Sequence, residues 1–399
     1  MTILFVNDIP FNPNRGGIER VTDILTKQLI KQYGYQVYYL SFEQDNSSYN
    51  YPTQLFSLPQ NCSLAEKRSY VAEIVNKYDV DLIVNQRGQA KFVLDILPLN
   101  GVKIVNVIHS QPTAWIQQRL LTLYDYRPNT CVGRIRFLLK VLLYPFVNYY
   151  HKTKESKKFS LIYQSLLENY DALILLSDKH KGELKQLLNR GLSNYNIVSI
   201  PNPNTFKSPE VCHNQKEKMI LYVGRLDRIE KSPLRLIKIW EKLYKKHPDW
   251  KLVLVGGGEY MGTMVNYVNS HHIRRVYFEG SQTDVLSYYQ KASFICLTSN
   301  YEGWGMALTE GMQYGCIPFT FNSYGAASDI IEDKVSGCLI RPFSLRDYAK
   351  RLSKLMQDEA LRVQMSREAQ KKVQEFDSEN VVAMWDGLFK SLQDNVDKE

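Results

Sequence analysis

The sequence predicts an α/β protein of two domains, each built around a parallel sheet. Short apolar runs alternate with amphipathic stretches along the chain, which is typical of βαβ units. The 399 residues exceed what one hydrophobic core usually supports. The strand-then-helix rhythm restarts after a proline-rich stretch at residue 201, so we expect two similar halves. Ligands should then bind at the carboxyl ends of strands and in the cleft between the halves.

The first half opens with the apolar run TILFV, which leads through a Gly-Gly turn into an amphipathic stretch from Ile18 to Tyr33. No Lys or Arg precedes this run, so we expect a buried first strand rather than a signal peptide. Four later runs are apolar nearly throughout, as parallel strands covered on both faces are. They read VYYLSF, DLIVN, VKIVNVIHS and DALILLS. We assign residues 1–200 to an N-terminal domain.

The second half follows a linker that we place at residues 201–218, where three prolines and a polar run interrupt the pattern. A second domain is expected over 219–376, with the strands MILYVGRL, KLVLVGGG, VYFEG, SFICLTS and CIPFTF. Residues 377–399 carry apolar side chains at helical spacing after Asp377 and Ser378, either of which could cap the helix. We therefore expect a C-terminal helix there.

The bulk composition excludes several classes of protein. No apolar stretch approaches the ~18 residues that a membrane span needs. The six cysteines form no CxxC pair and have no His at metal spacing, which favours reduced thiols in a cytosolic protein. Residues 1–200 hold 23 Lys and Arg against 16 Asp and Glu, and the segment 113–158 alone holds nine basic residues and two acidic ones. This basic segment therefore accounts for the whole excess of its half.

The basic segment has three interpretations. Its part 134–158 mixes cations with an apolar run broken at Pro145, and it could be a buried helix pair with a solvated, charged end. It could bind nucleic acid, although no interleaved motif or repeat supports that. We prefer an interfacial surface attracted to anionic lipid, where each cation contributes ~1 kcal/mol near the membrane.

Two cations follow a strand of the second half, in the stretch YVGRLDRIEKSP. Arg225 and Lys231 are six residues apart, just past the strand's carboxyl end. Most Lys and Arg side chains are solvated surface cations, but this position would turn both toward the cleft. There they could neutralise a diphosphate without a metal ion.

Two acids flank a glycine-rich turn in the stretch SNYEGWGMALTEGMQYG. Glu302 lies on the loop and Glu310 lies on the helix that is expected to begin near Gly305. Glycines let backbone come close to a ligand, and the free N–H groups at a helix start attract phosphate. Glu302 and Glu310 could then bind hydroxyl groups on either side of a diphosphate, as a sugar–diphosphate–ribose requires. Taken alone, two such acids are more often surface residues.

In combination, these motifs resemble a retaining, nucleotide-sugar-dependent glycosyltransferase of family 4, a large group with the GT-B fold. The resemblance runs over most of the chain, and its second-domain motifs are highly specific together. It includes NRGGIER, the strand-end His of VIHS, the VGRL…K pair, the two acids eight apart and the tail GAASDIIEDKVSGCLI. It implies two Rossmann-like domains facing a central cleft, with the C-terminal helix crossing back to the first domain.

The resemblance also implies roles for particular residues. Arg225 and Lys231 would bind the donor diphosphate, Glu302 the transferred sugar and Glu310 the ribose. The remaining residues would contact the donor through backbone N–H groups, through close approach of a glycine or, for the histidine, near the reacting carbon. They are Gly303, Trp304, Gly305 and Met306 of the second domain, and Gly16, Gly17 and His109 of the first.

The sequence departs from the family pattern at three places. Ser232-Pro233 stands where the family has Gly or a small polar residue, and Gly311 replaces the commoner Ala. We interpret both as reshaping of the donor pocket. Asp329 stands where a glutamate is usual, which would shorten a contact to a hydroxyl group.

Two further motifs carry little weight. Asp79 and Asp81 resemble the metal motif of a different glycosyltransferase fold, but they precede a buried strand, where acids commonly mark the polar entry. Gly256–Gly258 lack the spacing of a dinucleotide fingerprint, and we expect a tight strand-to-helix turn bordering the nucleoside. We therefore expect no metal and no cofactor beyond the donor substrate, a UDP-sugar.

The expected function is transfer of a sugar to a glycan or lipid-linked acceptor, in cell-surface polysaccharide synthesis. Retention of configuration is implied by the resemblance alone. We expect a cytoplasmic protein, peripheral on the inner face of the plasma membrane, with no nucleic-acid partner. The alternatives are a nucleotide-sugar epimerase of the same shape and a basic nucleic-acid-binding scaffold. An epimerase would need titratable groups around the sugar ring, and a scaffold would not need Arg225, Lys231, Glu302 and Glu310 together.

Overall fold

The computed structural model describes residues 1–59, 61–90, 95, 101–123 and 144–394. These residues form two parallel sheets, each flanked by helices, as the sequence predicts. Each sheet has its own buried apolar clusters. The two-domain α/β architecture is therefore confirmed.

The first sheet has seven strands in the order β3-β2-β1-β4-β5-β6-β7. All of their pairings are parallel, and the central strands are buried along their length because they carry Val, Ile and Leu on both faces. The strands are β1 (Thr2–Asn7), β2 (Gln36–Ser41), β3 (Leu55–Ser57), β4 (Leu82–Asn85), β5 (Lys103–Ile108), β6 (Ala172–Leu175) and β7 (Ile197–Ser199).

The helices of this domain connect successive strands. Gly34 ends the first helix in the left-handed conformation with φ 67°, which lets the chain enter β2 after only two residues. Ser63 and Glu66 form a capping box at the start of the second helix. The helices are α1 (Gly17–Tyr33), α2 (Leu64–Lys77), α3 (Ala114–Leu123), α4 (Tyr144–Asn169) and α5 (Asp178–Leu188).

The second sheet has six parallel strands in the order β10-β9-β8-β11-β12-β13. They are β8 (Glu217–Val223), β9 (Lys251–Val255), β10 (Val276–Gly280), β11 (Ala292–Cys296), β12 (Ile317–Phe321) and β13 (Cys338–Ile340). The helices are α6 (Leu234–Glu241), α7 (Met261–Ser270), α8 (Leu286–Lys291), α9 (Met306–Gln313), α10 (Ala327–Ile330), α11 (Leu345–Gln357) and α12 (Glu359–Val373). A short 3₁₀ turn, Gln374–Phe376, follows α12.

The last helix, α13 (Ser378–Asp394), packs on the first domain. Its side chains Val381 and Trp385 belong to the same apolar cluster as Val21 and Leu25 of α1. The Tyr35 hydroxyl donates a hydrogen bond of 2.5 Å to Asp386. The prediction that the C-terminal helix crosses back to the first domain is therefore confirmed.

In both sheets the chain reverses its direction of winding beside the first strand. The neighbours of β1 are β2 and β4, and the neighbours of β8 are β9 and β11. Parallel sheets bind ligands in the crevice outside the carboxyl ends of strands at such switch points. The topology thus directs attention to the loops after β1, β4, β8 and β11.

The basic segment is only partly described. Arg127, Arg134, Arg136 and Lys140 lie outside the described residues, and the described part of 144–158 belongs to α4. Throughout the ranges that the structure describes, no helix combines the length and the apolar character that a membrane span requires.

Candidate active site

A buried ionic cluster lies at the switch point of the second sheet. Lys231, on the loop after β8, contacts Glu302 at 2.7 Å and Glu230 at 2.8 Å through its ammonium group. Ser299 donates a hydrogen bond of 2.7 Å to the other carboxylate oxygen of Glu302. Burial alone would lower the pKa of Lys231, but the charges of Glu302 and Glu230 outweigh it and the pKa is raised. Lys231 therefore stays charged at neutral pH.

Arg225 reaches the same cluster from its exposed side. Its guanidinium contacts the second oxygen of Glu230 at 2.6 Å, and its side chain is 67% exposed. Burial would raise the pKa of Glu230, but the charges of Lys231 and Arg225 outweigh it and hold the pKa below its usual value. Sequence reasoning missed Glu230, although its position directly before Lys231 was a signal. The two predicted cations are thus brought together by one acid.

The loop between β8 and α6 has a shape that only certain residues allow. The side chain of Asp227 accepts hydrogen bonds from the backbone N–H groups of Glu230 and Lys231. Ser232 has φ 45°, in the left-handed region that favours glycine, which explains why the family usually has a small residue there. Asn300, on the loop after β11, donates through its backbone N–H to the Glu230 carbonyl at 2.7 Å. The loops after β8 and β11 are therefore bonded to each other, and Lys231 is held against Glu302.

Glu310 lies in a second cluster, which joins the two domains. It is buried on α9, and Gly305, with φ 101°, precedes this helix as predicted. One of its oxygens accepts hydrogen bonds of 2.9 Å from Arg20 of α1 and from Thr205. The other accepts a bond of 2.8 Å from Tyr289. Sequence reasoning missed Arg20, although it belongs to the same NRGGIER stretch as the two glycines.

The glycine turns of the two domains meet at this site. A Cβ on Gly303 would lie 1.8 Å from the carbonyl oxygen of His109, so a side chain is excluded there. A Cβ on Gly17 would lie 3.1 Å from the sulfur of Met306, and one on Gly16 would lie 2.5 Å from Glu19. The structure therefore brings together first-domain and second-domain residues that the sequence assigned to the donor site.

Trp304 differs from its neighbours because its side chain points into the second-domain core. It is buried and packs edge-on against Phe376, with ring centroids 5.0 Å apart. Among the described residues its indole N–H has no hydrogen-bond partner. A contact of Trp304 with a ligand would therefore have to come from its backbone.

His109 follows β5 and is held as a neutral imidazole. Burial, and next the charge of Arg87, lower its pKa to about 3. Its Nε2 lies 2.5 Å from the side-chain oxygen of Gln86, an arrangement in which Nε2 donates and Nδ1 keeps its lone pair. His109 can therefore accept or donate a hydrogen bond at neutral pH, but it does not carry a charge.

Two of the departures from the family pattern lie away from the cleft. A Cβ on Gly311 would lie 2.8 Å from Ile295 of β11, so this glycine packs in the core and does not reshape the donor pocket. The Asp329 carboxylate accepts a hydrogen bond of 2.5 Å from Ser177 and lies 3.6 Å from Lys179. Asp329 thus contacts the first domain.

The two decoy motifs have structural roles. Asp81 accepts a hydrogen bond of 2.7 Å from the backbone N–H of Thr2, at the entry of the first sheet. A Cβ on Gly256 would lie 1.9 Å from the Gly224 carbonyl, so the turn after β9 packs tightly on the loop after β8. Within the described part of the chain, no group of three or more His, Cys, Asp or Glu residues is placed to hold a metal ion.

The second half of the chain matches a known family. Residues 204–372 match the family model described as Glycosyl transferases group 1. An uncharacterized glycosyltransferase of Haemophilus influenzae is 31% identical over 194 residues, which cover 48% of this chain and 55% of that protein. An alpha-1,4-N-acetyl-D-galactosaminyltransferase of Campylobacter jejuni is 27% identical over 219 residues, which cover 54% of this chain and 58% of that protein. The chain thus spans little more than half the length of these curated relatives.

Solved structures extend the likeness to almost the whole chain. Staphylococcus aureus TarM, in complex with fondaparinux, alpha-GlcNAc-glycerol and UDP, has a TM-score of 0.73 at 12% identity, covering 97% of this chain and 99% of that one. Anabaena Alr3699/HepE, in complex with UDP and glucose, has a TM-score of 0.71 at 16% identity, covering 98% and 100%. These likenesses confirm the fold. The chain has the GT-B fold, and its residues 204–372 match the group 1 glycosyl transferases.

Proposed function

We propose that this protein transfers a sugar from a nucleoside diphosphate sugar to a saccharide acceptor with retention of configuration, as family 4 glycosyltransferases do. The observation that carries the proposal is the cluster of Arg225, Lys231 and Glu302 at the carboxyl ends of β8 and β11. It faces the Gly16–Gly17 turn and His109 of the first domain through the contacts of Gly303 and Met306. The match of residues 204–372 to group 1 glycosyl transferases supports the same function.

The cationic part of the cluster suits a diphosphate leaving group. Lys231 remains charged, and Arg225 is exposed enough to meet a ligand. A diphosphate would compete with Glu230 for both cations and would neutralise them in its place. Preorganised charges of this kind stabilise the charge that develops as a leaving group departs.

The two predicted glutamates suit the two ends of the donor. Glu302, beside Lys231, would bind hydroxyl groups of the transferred sugar, while Glu310 would bind the ribose. The backbone from Gly303 to Met306 would donate N–H groups from the start of α9. Glu310 is already bonded to Arg20, Thr205 and Tyr289, so a ribose would have to share this carboxylate or displace one of them.

The environment of each candidate base supports a mechanism without a covalent intermediate on the protein. Glu302 is bonded to Lys231 and Ser299, Glu310 to three partners, and His109 is held neutral. In the proposed step the bond between the anomeric carbon and the phosphate oxygen breaks. The acceptor oxygen bonds to that carbon on the same face, and its proton passes to the departing phosphate. The protein's share is positioning and charge stabilisation.

A donor panel tests the proposal. The protein would be incubated with UDP-glucose, UDP-galactose, UDP-N-acetylglucosamine and GDP-mannose, and release of the nucleoside diphosphate would be measured. We expect release from one UDP-sugar. An epimerase would instead change the sugar without releasing the diphosphate, and a nucleic-acid-binding scaffold would shift single-stranded DNA on a gel while leaving every donor intact.

Metal independence is a second expectation. Arg225 and Lys231 can supply the charge that a divalent ion supplies in other sugar transferases, so diphosphate release should be unchanged by EDTA. Loss of activity in EDTA, with recovery on adding Mn²⁺ or Mg²⁺, would contradict this role of the two cations.

We further propose that the acceptor is lipid-linked or part of a cell-surface polymer and that the enzyme works on the cytoplasmic face of the membrane. The names of two relatives specify an undecaprenol-linked acceptor and poly(ribitol-phosphate). On α4, Phe146, Tyr149 and Tyr150 are exposed, and the cations Lys152, Lys154 and Lys157 follow them. Aromatic side chains and cations on one helix suit an interface with anionic lipid.

Vesicle sedimentation tests the membrane proposal. We expect binding to vesicles that contain anionic lipid at low salt, and release at high salt because the attraction is screened. Replacing Lys152, Lys154 and Lys157 with Ser should release the protein, whereas replacing the exposed Lys245, Lys246 and Lys291 of the second domain should not. If the wild type stays in the supernatant at low salt, the acceptor is a soluble saccharide.

A further inference from the structure

A cavity of about 860 Å³ opens on the first domain beside the candidate donor site. Its wall includes Gln86 after β4, His109 after β5, Trp115 of α3 and Phe159 of α4. The His109 carbonyl in this wall is also the group that excludes a side chain at Gly303. The volume lies in the range of small-molecule sites, roughly 300–1,000 Å³. The cavity is therefore large enough for a second substrate next to the donor.

Trp115 presents an aromatic face that the protein core does not use. Its side chain is 47% exposed, although an indole usually buries most of its surface. The indole N–H donates a hydrogen bond of 2.7 Å to Gln89, which is itself bonded to the Tyr163 hydroxyl. The ring lies almost parallel to that of Phe159, at 9° with centroids 6.4 Å apart. Trp115 is therefore held in place on its polar edge while much of its surface stays open.

Gln86 supplies a polar group that lacks a partner. It is 1% exposed, and its oxygen is bonded to His109. Its amide nitrogen has no hydrogen-bond partner among the residues that the structure describes. A buried donor left unpaired costs about 1–3 kcal/mol, so a ligand oxygen at this point would recover that free energy.

We propose that this cavity binds the acceptor as a pyranose ring, whose apolar face stacks on Trp115 while one of its hydroxyl groups accepts a hydrogen bond from Gln86. The inference rests on the proposed function for the word acceptor, and on the cavity alone for the binding of a saccharide. A pyranose combines a face of C–H bonds with a rim of hydroxyl groups. It therefore matches an open aromatic ring beside an unpaired amide better than a fully charged or fully apolar ligand would.

Saturation-transfer NMR on the whole protein tests saccharide binding directly. The probes would be the methyl α- and β-glycosides of glucose, galactose and N-acetylglucosamine, each with and without UDP. We expect the ring protons of one apolar face to receive the signal in the wild type, and Trp115→Ala to weaken binding by roughly fivefold, as loss of one aromatic contact does. Trp115→Phe keeps an aromatic face and should lie between the two. Tyr277→Ala is the matched control, because Tyr277 is equally exposed but lies on β10 of the second domain.

Gln86→Leu tests the polar half of the proposal. It should weaken binding of a glycoside by roughly tenfold, within the range for losing a buried hydrogen bond, and should not weaken UDP binding. Comparable thermal unfolding of Trp115→Phe and the wild type keeps the comparison valid if either larger change lowers stability.

The outcomes separate this proposal from the proposed function. Unchanged glycoside binding in Trp115→Ala, or no binding of any probe by the wild type, would overturn the saccharide site. Failure to bind UDP or to release diphosphate from any donor would overturn the proposed function, while the glycoside signal at Trp115 would still be read. Transfer that weakens in KM for the acceptor but keeps the rate of donor hydrolysis in Trp115→Ala would support both.

Discussion

Glu302 and Glu310 belong to one loop and helix, yet the protein holds them in different ways. Glu302 is bonded within the second domain, to Lys231 and Ser299. Glu310 is bonded across the cleft to Arg20, which is 290 positions away, as well as to Thr205 and Tyr289. Both carboxylates are buried. The site around Glu302 is therefore formed by one domain, whereas the site around Glu310 depends on how the two domains meet.

The difference assigns separate tasks to the two acids. A group that is preset within one domain can position a reacting sugar whether or not the other domain has moved. A group that is shared between domains can couple nucleotide binding to their arrangement, because a ligand that binds one arrangement better shifts the population toward it. The following changes break or sharpen this contrast, from the largest expected effect to the smallest.

Removing Lys231 should have the largest effect. Lys231→Ala should lower turnover by ~10²-fold or more, because one preorganised charge for the leaving group is lost. It also leaves Glu302 and Glu230 without their buried partner, which destabilises proteins by roughly 3–5 kcal/mol in comparable cases.

A second variant separates these two effects. Lys231→Met combined with Glu302→Gln removes both charges of the buried pair, so the melting temperature should recover while turnover stays low. Recovery of turnover together with stability would show that Lys231 only maintains the fold. Arg225→Ala should also lower turnover by ~10²-fold, without the loss of stability, because its side chain is mostly exposed.

The two glutamates should then differ in what they affect. Glu302→Gln should lower turnover and change donor-sugar preference, with little change in the affinity for free UDP. Glu310→Gln should weaken UDP binding by about 10- to 100-fold, the range for a hydrogen bond to a charged group. Calorimetry with UDP distinguishes them, and equal weakening by both changes would contradict the division.

Arg20 should show a smaller effect because about a third of its side chain is exposed. We expect Arg20→Met to weaken UDP binding about threefold, within the range of about 1 kcal/mol for partly solvated ion pairs. Arg15→Met is the matched control, since Arg15 has similar exposure and pairs with Glu43 inside the first domain. A double-mutant cycle with Glu310→Gln should be non-additive, and additive effects would mean that Arg20 does not act through Glu310.

Mild acid should loosen a second contact between the domains, at His180. Its ring lies close to Gly325, and burial lowers its pKa to about 4 from the usual 6.5. The unfolded chain therefore binds a proton first, so stability is full above pH 6.5 and falls as the pH drops from 6.5 toward 4. His180→Asn should lose fewer degrees of melting temperature between pH 7 and pH 5 than the wild type. An equal loss in both proteins would show that His180 does not carry this pH dependence.

The regular elements of the core were largely predictable from the sequence. All ten apolar runs that were read as strands contain strands, because such runs satisfy both faces of a buried parallel sheet. β3, β7 and β13 were missed because each has only three residues, too few to show a period. The interpretation of Gly311 was wrong for a different reason: spacing along a motif does not say whether a residue faces the cleft or the core.

The site could be predicted only in part. The residue types at Arg225, Lys231, Glu302 and Glu310 indicated a diphosphate and hydroxyl groups, and their roles stay predictions. Glu230, Arg20, Tyr289, Gln86 and Trp115 were missed. Their significance comes from partners that are far away in the sequence or from an open surface that only the folded chain defines.

The sequence by itself determined which segments are strands and helices, where glycine is required, and which charged residues follow the strand ends. These properties depend on side-chain period and backbone conformation, which are local. Only the tertiary structure decided that Lys231 lies between Glu230 and Glu302, that Glu310 meets Arg20 of the other domain, and that His109 is neutral. The physical reason is that ion pairing and pKa depend on distance and burial. Both are set by which strand ends the crossovers place side by side.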